Sequence, residues 1–226
     1  MKKQKLIRVL SVALASILPM TPSSAVAEGF FIGAEGSLVV YPNWAKEIKD
    51  TIVSWGYTSY TSTQLAAGIG AGIHGGQWVN DNFGWEVGYS DLGETTGDFS
   101  AYDFAMGNFS YDWNASASAL HALVLGGIKF GRNKVFGKIG LYQASTKVEL
   151  VDTTPGAPGS TRVYSNKNSG LQIGGGYVFS FTSHLSGSVG LSILSGVKFA
   201  DLPTANMNKA RSENLTKLAV GLDYMF

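Results

Sequence analysis

Leu218-Ala219-Val220-Gly221-Leu222-Asp223-Tyr224-Met225-Phe226 carries a large apolar side chain at every second position and ends on an aromatic residue. Side chains alternate across a β-strand, so Leu218, Val220, Leu222, Tyr224 and Phe226 share one face, and Lys217, Ala219, Gly221 and Asp223 share the other. An apolar face backed by small or charged residues suits lipid on one side and a polar interior on the other. The segment therefore predicts a strand of a transmembrane β-barrel in a bacterial outer membrane.

The opposite end of the chain agrees. Lys2, Lys3 and Lys5 precede a mostly apolar run from Leu6 to Leu18, and Ala25-Val26-Ala27 offers small residues for cleavage before Glu28. Residues 1–27 are expected to be a secretory signal and residues 28–226 the barrel. The run falls short of the roughly 20 apolar residues of a membrane helix. Removing Lys2, Lys3, Lys5 and Arg8 from the 17 basic residues leaves 13 against 16 acidic ones, about −3. That balance supplies no basic field for nucleic acid.

Composition narrows the chemistry. The chain has no cysteine, which excludes a disulfide scaffold, a thiolate metal site and a cysteine nucleophile. Twenty-nine glycines suit a crowded narrow lumen, and 10 Tyr and 5 Trp suit interfacial girdles. Mean hydropathy is only +0.09, as expected where half of each strand is polar.

Eight strands are predicted, near 29–41, 63–77, 82–93, 117–130, 134–149, 168–181, 184–198 and 214–226, an even number that closes an antiparallel up-and-down barrel. The connections 42–62, 94–116, 150–167 and 200–213 are long, whereas 78–81, 131–133 and 182–183 are short. Short turns face the periplasm in such barrels, so both termini are expected there. Trp85, Val87 and Tyr89 alternate with Glu86, Gly88 and Ser90, and Leu185, Val189, Leu191 and Ile193 alternate with Ser186, Ser188, Gly190 and Ser192. The first set in each case is assigned to lipid. Between Ala117 and Phe130 apolar residues fall on both faces, and Leu123 and Leu125 are assigned outward. A soluble sandwich or lipocalin-like barrel also alternates, but it gives no reason for Gly and Ser at the solvent positions or for a terminal aromatic residue.

Two longer stretches, Gln64-Leu65-Ala66-Ala67-Gly68-Ile69-Gly70-Ala71-Gly72-Ile73-His74-Gly75-Gly76-Gln77-Trp78-Val79-Asn80 and Gly84-Trp85-Glu86-Val87-Gly88-Tyr89-Ser90-Asp91-Leu92-Gly93, resemble the second and third strands of the outer membrane protein A (OmpA) transmembrane domain. Gly29-Phe30-Phe31-Ile32-Gly33-Ala34 and the C-terminal segment look like its first and eighth strands. The resemblance implies a charged lumen, with a carboxylate on the third strand and basic residues on the fourth and fifth. Glu86 and Lys138 match two such positions, while Val124, Gly176 and Ser188 stand where the family carries other charges. Full OmpA proteins continue into a peptidoglycan-binding domain, which this chain, ending at Phe226, is not expected to have. The terminal pattern also resembles the signal read by the barrel-assembly machinery.

Lys217 and Asp223 share the lumen face by alternation and are expected to pair with neighbours, because an unpaired buried charge costs several kcal/mol. Eight strands enclose a space that side chains fill, so free diffusion of solutes is not expected. His184-Leu185-Ser186 superficially resembles the His-x-Ser of barrel lipid A deacylases, but it sits at the periplasmic rim with no carboxylate beside it. His74 and His121 lie on different strands without metal-ligand spacing. Gly68-Ile69-Gly70-Ala71-Gly72 lacks the strand-turn-helix setting and Lys-Ser/Thr ending of a phosphate loop. No catalytic residue, metal or cofactor is assigned.

Between Glu94 and Ser116, six aromatic residues accompany Glu94, Asp98, Asp103 and Asp112 without one Lys or Arg. Tyr102 and Phe104 alternate before Gly107-Asn108 and Phe109, Tyr111 and Trp113 after it, predicting a hairpin beyond the membrane. Trp113 is assigned to the outer girdle, and Tyr102, Phe104 and Phe109 to a protein-contact surface. The expected role is structural and adhesin-like, toward a host or cell-surface ligand, with outer-membrane lipid and lipopolysaccharide as surroundings. A low-conductance porin and a lipid A-modifying enzyme are the rival functions.

Overall fold

The computed structural model describes residues 29–41, 59–64, 67–103, 107–156, 159–199 and 212–226. The strands are β1 (Phe30–Val40), β2 (Ser59–Gln64), β3 (Ala67–Trp78), β4 (Phe83–Asp103), β5 (Gly107–Phe130), β6 (Asn133–Asp152), β7 (Thr161–Ser180), β8 (Leu185–Lys198) and β9 (Ser212–Met225). Each of β3 to β8 pairs antiparallel with its successor, and β1 pairs with both β3 and β9. The sheet thus closes on itself as an eight-stranded ring. β2 continues the line of β3 along β4, opposite residues 97–102. The signal assigned to residues 1–27 lies outside the described residues, as does most of the 42–62 connection.

The outside of the ring is a belt of exposed Ile, Leu and Val, including Ile32, Ile73, Val124, Ile139, Ile173, Leu191, Val220 and Leu222. Exposed Phe30, Phe83, Phe130, Phe181, Tyr224 and Phe226 edge the belt at the short-turn end, where aromatic side chains bridge hydrocarbon and water. The seam is the β1–β9 ladder from Phe31↔Met225 to Val40↔Thr216, and the Phe226 N–H extends it by donating to the Phe30 carbonyl at 2.9 Å.

One assigned face is reversed. Leu123 and Leu125 are 3% and 2% exposed and point into the lumen, while Val124 is 59% exposed on the lipid side. The run Leu123-Val124-Leu125 has no polar residue to mark its phase. The register Leu123↔Gly140 and Leu125↔Lys138 puts both leucines on the face that Lys138 occupies. Val124 consequently cannot stand in for a lumen charge.

The strands on one side of the ring outgrow the membrane. A tilted span takes about 9–11 residues, whereas β5 has 24 and β4 has 21. Their ladder continues to Asp103↔Gly107, so most of the 94–116 connection is strand, as the alternation around Gly107 predicts. β6 and β7 likewise reach Val151↔Thr161, and the 150–167 connection is largely paired.

Polarity inverts along these extensions. On β5, Leu120, Val124 and Ile128 face out, whereas further along Trp113, Ala115, Ala117 and Ala119 are buried inside. On β6, Ile139 and Leu141 face lipid, but Ala144, Val148 and Leu150 turn inward. The change falls near the Leu120↔Gln143 pair. Beyond that level the strands stand in water, and the apolar face moves to the inside.

Two bulges mark the same level. Register slips between Asp91 and Glu94 in β4 and between Leu194 and Val197 in β8. Each contains a glycine in the left-handed region, Gly93 (φ 78°) and Gly196 (φ 82°). Such bulges bend a strand and strengthen its twist.

Candidate functional site

The lumen has three layers. At the long-hairpin end, Tyr41, Leu92, Phe99, Trp113, Tyr142, Leu194, Phe199 and Leu215 pack with small alanines into one apolar cluster. Alanines at 115, 117 and 119 leave room for those rings. Trp113, assigned by sequence to the outer girdle, is 3% exposed within this plug. Its parity places it on the inner face once polarity has inverted.

Below the plug lies a charged layer of three groups. Lys217 bonds Glu35 and donates to Ser90 Oγ at 2.9 Å, and Ser90 donates to Glu35 Oε1 at 3.0 Å. Glu86 Oε1 lies 3.3 Å from both Lys138 Nζ and His121 Nε2. His74 Nε2 stands 2.7 Å from Asp223 Oδ1. The seven charged or imidazole partners beside Ser90 come from β1, β3, β4, β5, β6 and β9. Glu86 therefore meets Lys138, as the family pattern implies, whereas Lys217 and Asp223 take different partners. Glycine makes the space: a Cβ at Gly72 would lie 2.7 Å from Glu35 Oε1, and one at Gly88 would lie 2.7 Å from His121 Nε2.

Glu35, His74 and His121 are the lumen residues that sequence reasoning missed. Their signal is parity. Glu35 alternates in phase with Gly33 and Ser37, and His74 with Gly72 and Gly76. A polar side chain in phase with lumen glycines is a lumen group whatever its sequence neighbours.

At the short-turn end the lumen is not filled. A cavity of about 580 Å³ opens between Trp78, Phe136, Lys134 and the inward serines of β8. This corrects the expectation that side chains occupy the whole barrel. Gly176 and Ser188, at positions where the family pattern carries charges, present little or no side chain to it.

The remaining candidates separate. His184 Nδ1 is 2.8 Å from Ser183 Oγ and its ring stacks on Tyr224, at 6.0 Å between centroids. Ser186 is buried on the lumen side. Among the described residues no group of three His, Cys, Asp or Glu could hold a metal ion.

In the long hairpin, Phe99 stacks on Tyr111 with ring centroids 5.2 Å apart. Residues opposed across a ladder share a face. The pair Ala101↔Phe109 thus puts half-buried Phe109 on the inner face with Trp113. Tyr102, 38% exposed, lies on the outer face with Glu94, Asp98 and Asp112. Phe104 lies outside the described residues.

A closed ring of antiparallel strands, with apolar side chains outside and ion pairs inside, defines a transmembrane β-barrel of the outer membrane. The chain belongs to the outer membrane protein beta-barrel domain family, whose model matches residues 11–226. Among solved structures it is similar to the outer membrane protein OprG of Pseudomonas aeruginosa, with 10% identity over 88% of this chain and 97% of that one and a TM-score of 0.50. It is also similar to Ail, the attachment invasion locus protein of Yersinia pestis, with 11% identity, 88% and 99% coverage and a TM-score of 0.46. Neisserial surface protein A matches with 14% identity, 89% and 100% coverage and a TM-score of 0.45. The likeness to OprG bears on the fold alone. No curated protein matches the chain.

Proposed function

We propose that the chain is a non-enzymatic outer-membrane barrel with a structural and surface-interaction role, exercised through the sheet that stands beyond the membrane. Residues 1–27 act as a signal removed after Ala27, both termini lie in the periplasm, and the long hairpins face outward. The barrel-assembly machinery inserts the chain among outer-membrane lipid and lipopolysaccharide.

The observation that carries this reading is the outer face of the β4–β5 extension. The ladder stays paired for a further ten positions beyond the bulge, from Glu94↔Ser116 to Asp103↔Gly107. Asp98 sits directly opposite Asp112 there, an arrangement of like charges that weakens a ladder. Glu94 and exposed Tyr102 flank that pair on the same face, and no Lys or Arg occurs between 94 and 116. A rigid, acidic, tyrosine-bearing face suits a cationic patch on a host or neighbouring cell. Phe104 belongs to the contact surface, whereas Phe109, on the inner face opposite Ala101, supports the hairpin from within and makes no outward contact.

Asp98→Asn, Asp112→Asn and Tyr102→Ser together should lower attachment to host-type cells while leaving heat-modifiable gel mobility intact. Full attachment by the well-folded triple variant would remove the hairpin from the proposal. The porin alternative is disfavoured by the apolar plug, which blocks the lumen above the charged layer. Regular single-channel steps from the purified barrel in planar bilayers would revive it.

A further inference from the structure

Beyond the apolar belt, the outer face of β6 to β8 is basic. Opposed residues share a face, so the register Ser145↔Lys167, Lys147↔Ser165 and Glu149↔Val163 makes Lys147 and Lys167 diagonal neighbours on one face. Thr146, Val148 and Leu150, of opposite parity, are buried, which makes that face the outer one. Lys198 joins them from β8. Val197 and Phe199 on either side of it are buried, so Lys198 points out. Its N–H donates to Asn168 Oδ1 at 2.9 Å, which holds it level with Lys167.

All three lysines are exposed. Glu149 is the one carboxylate on this face among the described residues, and it pairs with Lys147 at 3.0 Å. Neither Lys167 nor Lys198 has a carboxylate partner among the described residues. The basic face begins where the belt ends. Leu141 opposes Leu171 and Ile173 opposes Ile193, all exposed on the lipid side, and the next outward residues are Gln143, Ser169 and Ser195. Four residues past Leu171, at about 3.3 Å each on a strand tilted about 45°, Lys167 stands roughly 9 Å above the last leucine. A lysine stem bends its ammonium back over part of that height while covering apolar surface. The ammonium groups thus reach head-group level, above the chains that cover Leu171 and Ile193.

We propose that Lys147, Lys167 and Lys198 bind the phosphate groups of a phosphorylated outer-leaflet glycolipid whose acyl chains lie on Leu141, Leu171 and Ile193. The proposal rests on the reading that the long hairpins face outward. The lysines follow the rim of the belt and do not enclose a pocket, which suits a lipid better than a free anion. Burial of the acyl chains against the belt brings a glycolipid phosphate to the lysines, and inorganic phosphate has no such chains.

Native mass spectrometry of the folded barrel in detergent micelles, titrated with bisphosphorylated lipid A, tests this. Retained lipid A is expected, and Lys147→Gln, Lys167→Gln and Lys198→Gln together should weaken retention by about tenfold or more, a tenfold change being ~1.4 kcal/mol. The three positions are exposed and lie beyond the belt, so heat-modifiable mobility should not change. Lys147→Arg, Lys167→Arg and Lys198→Arg together keep the charge and should bind as wild type; loss of binding there would overturn recognition by charge, as would equal binding of dephosphorylated lipid A. Wild-type retention by the glutamine variant would overturn the site, and so would an equal loss with Lys129→Gln at the opposite rim. Displacement by inorganic phosphate at the same concentration as lipid A would overturn a lipid as the occupant. Attachment is a separate readout, which the glutamine variant should leave at the wild-type level. A tag at Gly156 that antibody cannot reach on intact cells would remove the outward reading and the glycolipid with it, whereas a failed binding arm beside an accessible tag removes the glycolipid site alone.

Discussion

The Tyr41 hydroxyl donates to the carbonyls of Leu92 and Gly93, at 2.9 and 3.2 Å, reaching from the end of β1 past β3 to the bulge in β4. Tyr142 repeats the arrangement, donating to the Ser195 carbonyl at 2.9 Å beside the β8 bulge. A bulge takes carbonyls out of the ladder, and a buried carbonyl left unsatisfied is costly. Each tyrosine thus satisfies a bulge from two strands away and builds the plug with its ring.

Tyr41→Phe keeps the ring and removes both hydrogen bonds. It should destabilise the barrel by about 1–3 kcal/mol, the cost of leaving buried acceptors unpaired, read from urea unfolding in lipid vesicles. An unchanged midpoint would mean that water or a neighbour satisfies the bulge equally well.

The charged layer should respond unevenly. Lys217→Met leaves Glu35 with the Ser90 hydroxyl, whereas Lys138→Met leaves Glu86 with His121. Removing one member of a buried pair costs about 3–5 kcal/mol where nothing replaces it, so Lys217→Met should lower stability more than Lys138→Met. The reverse order in the same unfolding assay would show that His121 does not compensate.

Facing can be tested with arginine. An arginine on the lipid face at mid-membrane costs about 2–4 kcal/mol. Val124→Arg and Leu191→Arg should therefore reduce folding yield into vesicles well below that of Ser188→Arg, whose side chain enters the cavity. Wild-type yields for Val124→Arg would return Leu123 and Leu125 to the lipid.

Assembly depends on the seam. Deleting Phe226 removes an exposed girdle ring and the N–H that donates to Phe30, and should lower the amount of barrel inserted at low expression. Equal outer-membrane levels, measured by blotting, would place the recognition signal elsewhere in β9.

Alternation alone determined the barrel, its closure and the lipid faces of β8 and β9, because a period of two assigns a face wherever polar and apolar residues strictly alternate. Leu191, Val220 and Leu222 needed nothing further. Glu86, Lys217 and Asp223 could be placed on the lumen side in the same way, and Lys138 through the resemblance to the OmpA domain. Which charges meet was decided only by the register between strands: Lys217 finds Glu35 through the pairing of β9 with β1, which spans most of the chain, and Asp223 finds His74 through that pairing together with that of β1 with β3. The leucines at 123 and 125 escaped because an unbroken apolar run carries no phase. Trp113 escaped because the solvent changes from lipid to water along a single strand, reversing which face is apolar. The cavity is likewise a tertiary fact, since small residues on β8 leave space only when the larger side chains of the opposite wall do not cross to fill it.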